Sequence, residues 1–249
     1  MTTLSANVRF PAECPVCRSS LMALARQIKT SRAGNVDLFY CLDCESFCSP
    51  FAPDNLNGPT LNHHLRVLDR NIEFSRIFIP RLFEHIKPKR IIDVGCGIGT
   101  LLHSARIMFN IEGVGFDLDA EACSHGKERF ALDLRAEPWS TSAHVVDVDL
   151  ILCVMVLEHL KWPRPLLFEL ISGAKKNSCP LFVAVPWFNR AMWKDLLDPT
   201  AQSSMLAQPW VHVTHFSESG FMNTCREMGA KKMIRISGHP WPGYLIWAD

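Results

Sequence analysis

The chain has 249 residues, a formal net charge of +1, and 48% hydrophobic against 20% charged side chains. That length suffices for one large α/β domain with a small appendage. A charge so close to zero excludes a bulk electrostatic pull towards nucleic acid or anionic membrane, and no apolar run approaches a membrane span. The first residues lack a charged-then-apolar signal region, so the ten cysteines read as thiols or metal ligands in a reducing, cytoplasmic compartment rather than as disulfides.

Residues 1–50 form an N-terminal module. Cys14-Pro15-Val16-Cys17 and Cys41-Leu42-Asp43-Cys44 are two C-x-x-C pairs. Each pair can supply two thiolates from one tight knuckle, and two knuckles complete a tetrahedral zinc site with no open coordination position. A Gly34-Asn35 turn between them, with Phe39-Tyr40 leading into the second pair, suits the hairpins of a zinc ribbon. Cys48 is an alternative to one of the four ligands. The module carries five Arg/Lys against four Asp/Glu, so no basic stripe offers an RNA grip.

Residues 51–61, rich in Pro, Asn and Gly, read as a linker. From Asn62 to Ile86, apolar residues at Leu65, Leu68, Ile72, Ile79, Leu82, Phe83 and Ile86 fit one helix face, or two helices broken near Pro80. His63 and His64, near its start, read as solvated helix-start residues, with a cofactor-covering role as the alternative. Ile91–Val94 is then a buried strand that runs into Asp93-Val94-Gly95-Cys96-Gly97-Ile98-Gly99 and a helix. Glycines there let the backbone take positive φ and approach a ligand, and the helix behind presents free N–H groups. Gly113-Val114-Gly115-Phe116-Asp117 is a second strand ending in an acid about twenty residues on, where a doubly wound fold keeps its ribose-binding carboxylate.

This strand, glycine turn, helix, strand and terminal acid resemble motifs I and II of the class I S-adenosylmethionine-dependent methyltransferases. The resemblance implies a Rossmann-like α/β domain over residues 62–249 with a seven-stranded sheet. It also implies S-adenosylmethionine as cofactor: Asp93, Gly95, Cys96, Gly97 and Gly99 at its methionine end, Asp117 on the ribose hydroxyls, the adenine contact at or near Leu134-Arg135, and Leu118 and Cys153 at its remaining edges. Joined to a cysteine module and a Pro-rich link, the pattern is similar to enzymes that modify sugars and polysaccharides.

Further along, Asp119–Phe130 reads as a helix, Leu132–Arg135 as a weak strand and Asp149–Cys153 as a strong one. Val156-Leu157-Glu158-His159-Leu160 is similar to small-molecule O-methyltransferases of the ubiquinone-biosynthesis type. Leu166–Ala174 is a helix and Leu181–Pro186 a buried strand. Residues 187–215 form an aromatic insertion, with Trp187, Phe188, Trp193, Met205 and Trp210, suited to an acceptor pocket or to a packed subdomain. His212-Val213-Thr214-His215-Phe216-Ser217 resembles the family's segment before its last helix, with Ser217 as N-cap of a helix over Glu218–Met228. Lys231–Ser237 and an antiparallel Tyr244–Ala248 close the sheet.

Methyl transfer from a sulfonium needs nucleophile, methyl and sulfur aligned in a dry pocket, and a hydroxyl acceptor gains from a base. His159 is the first candidate, with Glu158 as partner, and His215 the second. The sequence therefore indicates methylation of a small-molecule or carbohydrate acceptor, at oxygen. The alternatives are an RNA methyltransferase gripping RNA through the cysteine module, and a non-catalytic cofactor-binding protein.

Overall fold

The apolar runs at residues 91–94 and 150–154 are nearly continuous, as befits central parallel strands covered on both faces. The computed structural model describes residues 8–30, 34–52, 60–142, 147–188, 212–238 and 241–248. In chain order its elements begin with β1 (Met22–Thr30), β2 (Gly34–Cys41), β3 (Phe47–Cys48), α1 (Leu61–Arg66), α2 (Leu68–Phe83) and β4 (Arg90–Val94). They continue with α3 (Thr100–Phe109), β5 (Glu112–Phe116), α4 (Ala120–Phe130), β6 (Asp133–Arg135), β7 (Leu150–Val154), α5 (Arg164–Lys176) and β8 (Leu181–Ala184). The last are β9 (Thr214–His215), α6 (Glu218–Glu227), β10 (Lys232–Ile236) and β11 (Gly243–Trp247). The chain divides into two compact units, one of residues 59–157, 166–185 and 225–249, the other of residues 1–58, 158–165 and 186–224.

The larger unit holds a seven-stranded sheet in the order β10-β11-β8-β7-β4-β5-β6. Neighbours from β8 to β6 run parallel, and β11 is antiparallel to both β8 and β10. This is the class I methyltransferase sheet that the sequence indicated. Strand order reverses between β4 and β7, the point where such sheets bind ligands beyond their carboxyl ends. Phe78, Ile79 and Leu82 of α2 pack in one core with Ile91, Leu102, Leu152, Phe182 and Leu245. Buried Leu68, Ser75, Phe78, Ile79 and Leu82 recur at the helical period along α2. The helix breaks not near Pro80 but at Val67, whose φ and ψ of −108° and 9° leave the helical range. Pro80 stays within the last turn of α2, where it removes one i→i−4 bond, to the Arg76 carbonyl, without ending the helix. The Asp149 carboxylate accepts from the Lys89 and Arg90 backbone N–H groups at 2.8 and 2.9 Å. Those bonds hold its pKa below the ordinary carboxylate value and pin the start of β7 beside β4.

The smaller unit is built on a four-stranded sheet, β1-β2-β3-β9. The expected Gly34-Asn35 turn is corrected. Both residues lie in β2, opposite Thr30 and Lys29, and the connection falls at residues 31–33, outside the described residues. β9 comes from far along the chain, with His215 opposite Phe47 and Thr214 opposite Cys48. Ser217 caps α6 as expected, its Oγ accepting from the Gly220 N–H at 2.9 Å. The same hydroxyl donates to the carbonyl of Cys44, and the Ser217 N–H donates to Ser46 Oγ at 3.1 Å. Most of the 187–215 insertion, with Trp193, Met205 and Trp210, and residues 53–59 of the linker lie outside the described residues.

Candidate functional site

In the larger unit, β4 delivers Asp93 to the sheet's carboxyl edge, and the chain then turns through Gly95, Gly97 and Gly99 at φ of +79°, +53° and +79°. All three angles belong to the left-handed region that glycine enters without steric cost. The Gly95 and Cys96 N–H groups donate to the Phe116 carbonyl at 2.7 and 3.1 Å, which ties the turn to the end of β5. Asp117 follows directly. Its Oδ2 accepts from the Gly97 N–H at 2.7 Å and its Oδ1 from the Asp119 N–H at 2.9 Å. Each oxygen keeps lone-pair capacity for a hydroxyl donor. Asp93 is 2% exposed. Burial, with the Asp117 charge adding to it, pushes its pKa up to about 7.

The other expected cofactor residues divide by exposure. Leu118 presents an apolar side chain that is 76% exposed, beside Asp117. Leu134 is fully buried, and a Cβ built on Gly99 would fall 3.2 Å from its Cδ2. Leu134 therefore supports the turn from beneath. Cys153 is buried within β7, and the Cys96 side chain turns inward towards Gly115 and Cys123.

Two side-chain contacts at this turn lie outside the sequence reading. A Cβ on Gly95 would lie 2.2 Å from Val156 Cγ2, so the segment after β7 packs against the first glycine. A Cβ on Gly97 would lie 2.5 Å from His64 Cε1. His64 is thus no solvated helix-start residue but a half-buried ring laid on the glycine turn, while His63 remains exposed. Burial lowers the His64 pKa, against the opposing pull of Asp117 and Asp119. A two-histidine helix start carries no signal that says which ring turns inward.

In the smaller unit, the Sγ atoms of Cys14, Cys17, Cys41 and Cys44 all lie within 4.8 Å of one another. Cys14–Cys44 and Cys17–Cys41 are separated by 3.7 and 3.5 Å. A zinc–sulfur tetrahedron with bonds of about 2.3 Å has edges of about 3.8 Å, so the four sulfurs fit that ion. The knuckles are conformational copies. In each, the first cysteine donates to a serine five residues on (Ser19 or Ser46), and its carbonyl accepts from the residue four on. Arg18 and Glu45 take the matching left-handed φ of 67° and 58°. Burial pushes the Cys17 thiol up to about 12, and the Cys14 thiol together with burial raises Cys44. A dication among them reverses that preference. Cys48, buried in β3, stands outside the four-sulfur group.

The same unit gathers Glu158, His159, His212 and His215. A 3-10 turn over Leu157–His159 carries the first pair. Thr214 Oγ1 donates to the Leu160 carbonyl at 2.8 Å, which brings the His-x-x-His segment beside that turn. The His159 and His212 rings sit 5.1 Å apart, and those of His212 and His215 6.4 Å. His159 Nε2 lies 3.9 Å from Glu158 Oε1. Burial holds the His212 pKa down to about 4 and the His215 pKa down to about 3, while it pushes Glu158 up to about 8. His215, the second candidate base, is 3% exposed and belongs to the sheet. His212 was not singled out in the sequence, although its three-residue spacing from His215 was visible.

A family model described as a methyltransferase domain matches residues 62–231. No curated protein matches the chain. Among solved structures, the chain is similar to an O-methyltransferase family protein from Burkholderia thailandensis, at TM-score 0.56 and 12% identity over 75% of this chain and 57% of that one. It is similar to the plantazolicin methyltransferase BpumL in complex with SAH, at TM-score 0.53 and 15% identity over 76% of this chain and 88% of that one. The human N-acetylserotonin methyltransferase in complex with SAM matches at TM-score 0.54 and 14% identity over 75% and 54%. The chain thus spans less than two thirds of the length of the first and third. At such identities the likeness is one of fold.

Proposed function

Because the chain belongs to the methyltransferase-domain family, we propose that it is an S-adenosylmethionine-dependent methyltransferase that methylates a small-molecule or carbohydrate acceptor at oxygen. The observation that carries cofactor use is the turn from Asp93 to Gly99, with three positive-φ glycines and the Asp117 carboxylate bonded to its middle. Asp93, Gly95, Cys96, Gly97 and Gly99 would hold the methionine end, Asp117 the ribose, and Leu118 the adenine face. Leu134 and Cys153 would line the floor beneath. The cofactor supplies an activated methyl group on a sulfonium. The protein's part is to hold that group, exclude water and manage the acceptor's proton.

The acceptor's proton falls to the Glu158–His159 pair. His159 follows β7 by five residues in the chain, after Val156 has packed on Gly95. It is half-buried, whereas His215 is enclosed and held neutral. An oxygen acceptor fits the pair, since imidazole has a pKa near the operating range of a base. The four cysteines read as a structural zinc site, which closes the module without catalysing anything.

Methyl transfer from radiolabelled S-adenosylmethionine into a fractionated cell extract tests the reading. Label in small-molecule or glycan fractions supports it, and label in nuclease-sensitive material overturns it in favour of RNA. His159→Ala should cut turnover on the labelled acceptor by about 10²–10⁴. A loss below about fivefold, with cofactor affinity intact, removes His159 from the proton's path.

A further inference from the structure

Glu158 is 1% exposed, and beyond its own backbone N–H neither carboxylate oxygen has a hydrogen-bond partner among the described residues. An ionised carboxylate buried without a donor costs several kcal/mol, so such a group stays protonated or faces a cation. Two imidazoles lie beside it. One ligating atom from each of Glu158, His159 and His212 lies within 4.8 Å of the others. The His159 nitrogen is 3.9 Å from Glu158 Oε1, too far for a hydrogen bond. A neutral imidazole presents a ring nitrogen that can bind a metal. The geometry points to a second metal site, in which Glu158, His159 and His212 bind a divalent transition-metal ion.

The donor chemistry selects the class of ion. Two imidazoles and one carboxylate suit zinc, iron or cobalt, and leave coordination positions open. Metal–ligand bonds near 2.1 Å put neighbouring donors about 3.0–3.4 Å apart, so the three atoms close inward by about 1 Å on binding. The Thr214–Leu160 hydrogen bond fixes the two segments that carry them. This site differs in kind from the four-cysteine cluster, which is coordinatively closed and sulfur-only. The inference goes beyond the reading of the Glu158–His159 pair given above, because it changes the part that His159 plays. A hydroxyl on the open face of the ion would have its pKa lowered and lose its proton to water, with His159 a ligand rather than a free base.

Cobalt(II) titration of the full chain, with zinc retained in the cysteine cluster, tests the site without calling on methyl transfer. The expected result is one further equivalent bound, with the weak visible band of nitrogen- and oxygen-bound cobalt and no intense sulfur-to-cobalt absorption. Outer-shell changes cost about 10–100-fold in metal affinity, so Glu158→Gln and His212→Ala, which remove direct ligands, should each lose about 100-fold or more. His159→Asn serves as a third variant if either fails to fold, with circular dichroism checking each. No further equivalent below about 1 mM cobalt, a sulfur band alone, or unchanged binding in the folded variants overturns the site. Such a failure leaves the methyltransferase reading intact, with His159 as an uncoordinated base. Metal binding without methyl transfer would instead fault that reading and spare the site.

Discussion

Replacing Gly97 and Gly95 by alanine, singly, tests the turn on which cofactor use rests. At Gly97 the residue enters φ +53°, which costs an alanine about 1–2 kcal/mol. Its Cβ would meet His64 Cε1 at 2.5 Å, the far end of a half-buried side chain that can swing aside, so the packing term stays near the lower end of about 1–3 kcal/mol. Alanine also restricts the unfolded chain and returns about 0.5 kcal/mol. The net loss for Gly97→Ala is about 2 kcal/mol. At Gly95 the backbone term is similar, but the Cβ lands 2.2 Å from Val156 Cγ2. Valine has one strongly preferred rotamer and its methyls sit next to the backbone, so it cannot yield. The loss there is about 3–4 kcal/mol. Urea unfolding reads both, and titration calorimetry with S-adenosylmethionine reads the turn's competence to bind. Adding His64→Ala to Gly97→Ala should restore about 1 kcal/mol, and it should do nothing for Gly95→Ala. A reversed order, or a loss under about 0.5 kcal/mol at both glycines, would refute the packing described here.

Three further outcomes follow from other parts of the molecule. Asp93 has its pKa raised to about 7 from an ordinary 3.8, so its contribution to stability is full below about pH 3.8 and lost as pH rises through about 7; Asp93→Asn should flatten that part of the stability–pH curve. Ser217→Ala removes the α6 cap and the donor to the Cys44 carbonyl, at a cost of about 1–3 kcal/mol, with zinc content unchanged in metal analysis. A strong chelator should release about one equivalent of zinc and expose four thiols to titration, and Cys14→Ser should abolish that equivalent; release with no gain in reactive thiols would count against the four-cysteine site.

Much of the larger unit was legible because its determinants are local. Continuous apolar runs gave β4, β7 and β8, the glycine spacing gave the turn, and the acid closing β5 gave Asp117. Boundaries moved by a residue or two, where fraying makes them soft. The break at Val67 was hidden because nothing in Arg66-Val67-Leu68 signals a stop, while Pro80 falsely did. His64 and Val156 were hidden for another reason: each matters through a contact with a glycine some thirty or more residues away in the chain. The pairing of β3 with β9 was invisible likewise, since two-residue strands carry no period. Cys14, Cys17, Cys41 and Cys44 were readable by spacing alone, whereas Glu158 and His212 needed the fold to bring them together.

The Ser217 hydroxyl reaches a cysteine carbonyl 173 residues earlier in the chain. Val16, inside the first knuckle, likewise offers its carbonyl to Arg164 and Thr224. On a ribosome adding about 5–20 residues per second, the cysteine pairs therefore emerge on the order of ten to thirty seconds before the segments that finish their surroundings. During that interval β3 has a bare edge, and both knuckles have unanswered carbonyls. An N-terminal fragment cut near Gly58 freezes the molecule at this stage. It should be purified as an incomplete intermediate, prone to edge pairing, and not as a freestanding zinc domain.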